Sequence, residues 1–269
     1  MIGRLIKTNL YYFFHNRIVT VIYIISSFIV AIMPWLRNLH GNYKTLSASE
    51  YIASLNPNNM EWYDVRTSGI LFMIIIFTGI MMSGIFKNKM VKHQEIAAGK
   101  ICDPLISMVI SSWIVTVIYM FPTIIMMTVL SIKNGTLNYN GEGRTYGYLL
   151  AILAVIIVNM LHMAANVILL SYIFRSEIVG SCVTAVLEIV KIYVLSIVFL
   201  GFTGKVMWIP YGLFAGLNCT DLTLRAIGEY TNVPETFDFM LPFAGLLAEV
   251  LVFGAIAYFR EKQRQVRQG

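Results

Sequence analysis

The run KNKMVKHQEIAAGKICDP, residues 87–104, lies between two apolar stretches, 68–86 and 105–132, each long enough to cross a bilayer. It carries Lys87, Lys89, Lys92 and Lys100 against Glu95 and Asp103, a bias that assigns it to the cytoplasmic side of a membrane. Its middle, 90–101, has no proline. Val91, Glu95 and Ala98 fall along one side, with Met90, Ala97 and Ile101 on another. This pattern predicts a short interfacial helix that touches something soluble beneath the membrane. The plainer reading is a basic loop that only sets orientation.

Composition explains why flanking membrane spans are the right frame. The chain has 269 residues, is 58% hydrophobic with a mean hydropathy of +0.72, and is only 13% charged. A soluble domain cannot keep a polar surface at those values, so the expectation is an all-α integral membrane protein. The net charge of +6 does not point to nucleic acid, because the basic residues sit beside the ends of the spans, where lipid headgroups lie. Cys102, Cys182 and Cys219 have no metal-ligand spacing and form no disulfide framework.

Outward from residues 87–104, the order of segments is regular. Residues 1–17 (MIGRLIKTNLYYFFHNR) put Leu5, Ile6, Leu10, Phe13 and Phe14 on an approximate apolar face. They predict an amphipathic helix in the inner headgroup layer, its aromatics turned toward the acyl chains. The six expected spans are 18–36, 68–86, 105–132, 148–174, 178–202 and 239–259. Gly79 and Gly84, then Ser107 and Ser111, then Ser181 and Ala185, are small residues suited to close helix approach. Pro122 is expected to kink the third span. Residues 175–177 form a tight inner turn. Residues 203–238 begin apolar and aromatic and end acidic, which suits an outer re-entrant segment too short to span. Twelve Lys and Arg fall in the inner segments, including Arg4, Lys7, Arg175, Arg260 and Arg264. Seven are spread over the longer outer ones, so both termini are expected in the cytoplasm.

No phosphate-binding loop, nucleophile elbow or zinc-protease motif occurs, and the four histidines are scattered. An enzyme, such as an intramembrane hydrolase, would need a catalytic pair that the sequence does not display. The chemistry that remains is within the spans. Glu188 and Lys191 are three residues apart, share a helix face and suit a structural ion pair. Glu249 has no partner nearby in sequence; an aqueous cavity, a basic group on another span, or protonation would each accommodate it. Asn159, His162 and Asn166 form a polar stripe at i, i+3 and i+7 that faces protein rather than lipid, with His162 read as a packing residue. No metal site is expected.

The whole order of features resembles the permease subunit of type-2 ATP-binding-cassette exporters. Glu95-Ile-Ala-Ala-Gly99 followed by Pro104-Leu-Ile-Ser107 is similar to that family's E-x-x-x-G…P-x-S loop, and RLIKTNLYYFFHNRI looks like its opening helix. Asp103 stands where a basic residue commonly precedes the proline. The resemblance implies that 87–104 is a coupling helix, with Lys92, Glu95, Gly99, Lys100 and Pro104 contacting a separate ATPase. That partner would hold ATP and Mg, and this chain would bind no cofactor itself. It also implies a second permease subunit, identical or not, and a place in a bacterial plasma membrane. Small permeases of this size often accompany peptide-antibiotic export, and the cargo expected is amphipathic or lipophilic. A non-transporting scaffold or sensor subunit is the alternative.

Overall fold

The structure is a computed structural model, and it describes residues 1–39, 65–87, 102–133, 146–200 and 236–268. Among these residues it is entirely helical: α1 (Ile2–His15), α2 (Arg17–Leu39), α3 (Val65–Lys87), α4 (Cys102–Lys133), α5 (Tyr146–Phe174), α6 (Glu177–Leu200) and α7 (Thr236–Gln268). Five of the six apolar stretches expected to be spans lie within α2, α3, α4, α5 and α7, and the other, 178–202, lies in α6 as far as residue 200, with 201 and 202 outside the described residues. The re-entrant segment, apart from the first turn of α7, and the greater part of the 87–104 stretch fall outside the described residues.

Among the described residues three helical stretches are long and apolar enough to cross a membrane: Cys102–Met126, Ile157–Phe174 and Phe243–Arg264. A 25-residue stretch such as the first is about 38 Å long, more than a ~30 Å hydrocarbon layer needs. The pair Ile2–His15 and Arg17–Ile32 is apolar enough together but is bent by 85°, and Met73–Phe86 is a shorter apolar helix. This is a helical membrane protein.

The helices are arranged around α5. It packs against α7, α6, α4 and α3, whereas α1 and α2 pack mainly on α4. The burial follows. In the span-length stretch of α5, 78% of residues are buried, against 17% in that of α7. A helix apolar on every side and covered on every side belongs at the centre, while α7 shows one seam to protein and leaves Leu247, Leu251, Val252, Ile256 and Phe259 exposed.

Hydrogen bonds between helices fix their relative directions. Tyr23 donates to the Val115 carbonyl and Ser27 to the Tyr119 carbonyl, the same offset of 92 residues, so α2 and α4 run parallel. Tyr23 also meets Phe13, Phe77 and Tyr119 with ring centroids 5.1–5.6 Å apart, a cluster that ties α1, α2, α3 and α4 together. Trp113 donates to the Leu161 carbonyl at 2.9 Å and anchors α4 to α5. α4 continues as helix through Pro122.

Two glycines sit at close contacts, and at Gly180 the neighbour is backbone that cannot move aside. A Cβ on Gly79 would lie 2.5 Å from Ser181 Oγ, so α3 approaches α6 at the first small residue of the expected pair. A Cβ on Gly180 would lie 2.5 Å from the Ser171 backbone nitrogen, which keeps the α5–α6 hairpin closed at its turn. Gly84 meets nothing within 4 Å. The turn itself is Arg175-Ser176. Arg175 has φ of 55°, and the Ser176 N–H donates to the Ser171 carbonyl at 3.2 Å, the capping bond that closes a helix with a left-handed residue.

Candidate functional site

α1 is positioned by a polar contact that its amphipathic pattern hides. Leu5, Asn9 and Phe13 recur every four residues and are the buried residues of this helix. Asn9 is fully buried, and its amide Nδ2 donates to Ser107 Oγ at 3.5 Å and to Ser111 Oγ at 3.4 Å. The two serines also donate back to the Pro104 and Ser107 carbonyls, at 2.8 and 2.7 Å. Sequence reading took Ser107 and Ser111 as small residues and missed Asn9. The available signal was a polar side chain on an otherwise apolar helix face. Phe13 likewise turns into protein, against the expectation that the aromatics of this helix face acyl chains, because Tyr23 and Phe77 offer it a pocket. Tyr11 and Tyr12 stay exposed.

The most concentrated polar chemistry lies along α5. Asn159, His162 and Asn166 are each buried to 3% exposure or less, on the single face their spacing implies. Glu249 reaches them from α7. Its Oε2 is 3.0 Å from His162 Nε2, and its Oε1 accepts from Asn166 Nδ2 at 3.0 Å. Asn166 Nδ2 is in turn 3.1 Å from His162 Nε2. Glu249 thus finds an imidazole and an amide on another helix, which its own sequence neighbourhood could not reveal. Four further atoms of this face are buried without a hydrogen-bond partner: both amide atoms of Asn159, His162 Nδ1 and Asn166 Oδ1. Such atoms are uncommon in folded proteins and mark a place where polar groups are held at some cost.

A second polar seam joins α5 to α7 at the hairpin end. Glu261 is buried and pairs with Arg175 and, at 3.1 Å, with Arg264. Arg264 also donates to the Tyr172 and Ile173 carbonyls, at 3.0 and 2.9 Å, and Arg260 reaches Ile173 at 3.4 Å. Arginines from α7 therefore satisfy the last carbonyls of α5, where a helix leaves acceptors open and carries partial negative charge. The contact offsets of 83 to 92 residues show that α5 and α7 run parallel. Sequence reading treated 260–269 as a basic tail and overlooked Glu261, the acid that arginines i+3 and across the seam converge upon.

The remaining expected site residues are dispersed. Lys92, Glu95, Gly99 and Lys100 lie outside the described residues, and Pro104 sits in the first turn of α4. Glu188 is 1% exposed and engaged in contact on α6. Lys191 follows it on the same helix, but its side chain lies outside the described residues, and with it the expected Glu188–Lys191 pair. Among the described residues no group of three His, Cys, Asp or Glu side chains could hold a metal. Compared with known proteins, the chain matches no family model, no curated protein and no solved structure.

Proposed function

We propose that this chain is the membrane-spanning permease subunit of an ATP-driven exporter of the type-2 ATP-binding-cassette class. In this reading α2 to α7 are six spans with both termini cytoplasmic. Residues 203–238 re-enter the outer leaflet, and α1 lies in the inner interface. The chain pairs with a second permease in a bacterial plasma membrane. Each permease docks its 87–104 stretch on a separate ATPase, where ATP and Mg bind, and the cargo is amphipathic or lipophilic, such as a peptide antibiotic.

The observation that carries this reading is the attachment of α1 to α4. α1 meets α2 at 85°, as a helix in the interface must meet one that crosses. Its fully buried Asn9 holds Ser107 and Ser111, three and seven residues beyond Pro104. A push on 87–104 enters α4 at that point and reaches α1 directly, then α2 through the Tyr23 and Ser27 bonds to the same helix. Helices packed together and joined by polar contacts can transmit a displacement, whereas a simple orientation signal needs no such linkage.

The test is purification of the tagged full chain from its native membrane in mild detergent, assayed for associated ATP hydrolysis. The expected result is a P-loop ATPase that co-purifies with the wild type and is lost with Glu95→Lys, while the variant still inserts in the membrane. A chain that carries no ATPase in either form is the scaffold or sensor subunit instead.

A further inference from the structure

α1 carries three strips along its length. Leu5, Asn9 and Phe13 are buried against the bundle. At about 100° per residue, Arg4, Lys7, Tyr11 and His15 fall on the opposite side, and all four are exposed. Between these two strips run Ile6, Leu10 and Phe14, apolar residues at i, i+4 and i+8 that are each half-buried. Tyr11 and His15 are stacked, with ring centroids 4.9 Å apart and planes at 22°, so the basic strip ends in two rings held side by side.

The basic strip has no counter-charge within the chain. The first acid in the sequence is Glu50, so α1 and α2 have none. Of the other helices packed on α1, α3 has no acid and α4 has only Asp103, in its first turn. Among the described residues no ion pair engages Arg4 or Lys7. Two cations one turn apart, about 4.5 Å along the axis, suit an anion from outside the chain. The neighbouring strip says what that anion belongs to. A free phosphate needs only the cations, whereas Ile6, Leu10 and Phe14 add apolar contact over two turns. Together the strips fit a phosphate attached to acyl chains. The bend of 85° between α1 and α2 holds both strips in one layer of a bilayer that α2 crosses.

We propose that the strip Arg4, Lys7, Tyr11 and His15 seats the phosphate of an anionic phospholipid, with Ile6, Leu10 and Phe14 against its acyl chains. This rests on the interfacial placement of α1 proposed above, and not on the ATPase or the cargo. Arg4 and Lys7 attract the phosphate oxygens, and the ring heteroatoms of Tyr11 and His15 suit an uncharged, hydroxyl-bearing headgroup such as glycerol. A choline headgroup brings its own cation against Arg4 and Lys7, so the seat prefers the anionic lipid to the zwitterionic one.

The test takes the full chain in phosphatidylcholine vesicles with a trace of phospholipid photoreactive at its headgroup, either phosphatidylglycerol or phosphatidylcholine. Labelling is read on residues 1–17 after digestion. The phosphatidylglycerol tracer should label them in preference, and unlabelled phosphatidylglycerol, not inorganic phosphate, should displace it. A basic residue near a charged surface contributes about fivefold in binding, so the double variant Arg4→Gln/Lys7→Gln should need about 25-fold more phosphatidylglycerol for displacement. Both side chains are exposed, so α1 keeps its packing in that variant. Lys262→Gln, which removes an exposed cation of α7, should change displacement by less than about twofold. Equal labelling by both tracers overturns the proposal and leaves α1 in the interface, whereas labelling by neither overturns the seat and the placement together. Displacement by inorganic phosphate as readily as by the lipid, or a loss in Lys262→Gln equal to that of the double variant, also overturns it.

Discussion

Two polar seams join α5 to α7, and they are built on opposite principles. At the hairpin end, Glu261 is paired with Arg175 and Arg264, whose side chains remain 34% and 29% exposed, and Arg264 also caps carbonyls of α5. Further along, His162, Asn166 and Glu249 meet where little solvent reaches, with Glu249 the most open at 16%. Full charges are tolerated at the first seam because the buried Glu261 is paired by two arginines that each keep part of the side chain exposed. At the second, an imidazole and an amide meet the carboxylate at 3.0 Å and lie 3.1 Å from each other. The difference teaches that the two seams are partnered differently: partly exposed arginines hold the acid at the helix end, and a buried imidazole and amide hold the one at mid-helix.

The largest expected effect is at the deep seam. His162→Leu takes the imidazole away from both Glu249 Oε2 and the Asn166 amide. It should lower stability by about 2–3 kcal/mol, read as a loss of denaturation resistance in lipid or detergent, with little dependence on salt. A smaller cost than that of the end-seam variants would reverse the ranking of the two seams.

Glu261→Ala should cost less, about 1–2 kcal/mol, because both arginines retain solvent and Arg264 keeps the α5 carbonyls as alternatives. This contribution should shrink as salt is added, so that wild type and variant converge at high ionic strength. Salt-independent loss would mean that the end seam is as buried in effect as the deep one.

The smallest net change separates backbone from charge. Arg175 occupies the left-handed region with φ of 55° and also reaches Glu261. Arg175→Gly loses the ion pair but releases the backbone cost, so it should stay within about 0.5 kcal/mol of wild type. Arg175→Ala loses the pair and keeps the strain, and should be about 1 kcal/mol worse than Gly. Equal stability of the two variants would show that the turn imposes no strain.

Much of this was legible in the chain before any contact was known. Hydropathy and length marked the apolar helices, since a helix that buries every side must be apolar on every side. The spacing of Asn159, His162 and Asn166 showed that one face of α5 turns to protein, and the short Arg175-Ser176-Glu177 interval required a hairpin. Asn9 was harder, because one polar residue within an apolar face reads as noise until Ser107 and Ser111 are found opposite it.

What sequence alone determined, then, is local: helical periodicity, apolar length and the faces along each helix, all set by residues within a few turns of one another. Which helices meet was decided only by tertiary structure. Glu249 and His162 are far apart along the chain, and nothing in the sequence of α7 says that this acid meets an imidazole on α5. Glu261 likewise reads as one acid in a basic tail until α7 is laid parallel to α5. Pairing across such separations depends on the relative rotation and depth of whole helices, which the apolar contacts of the bundle select together and no single segment encodes.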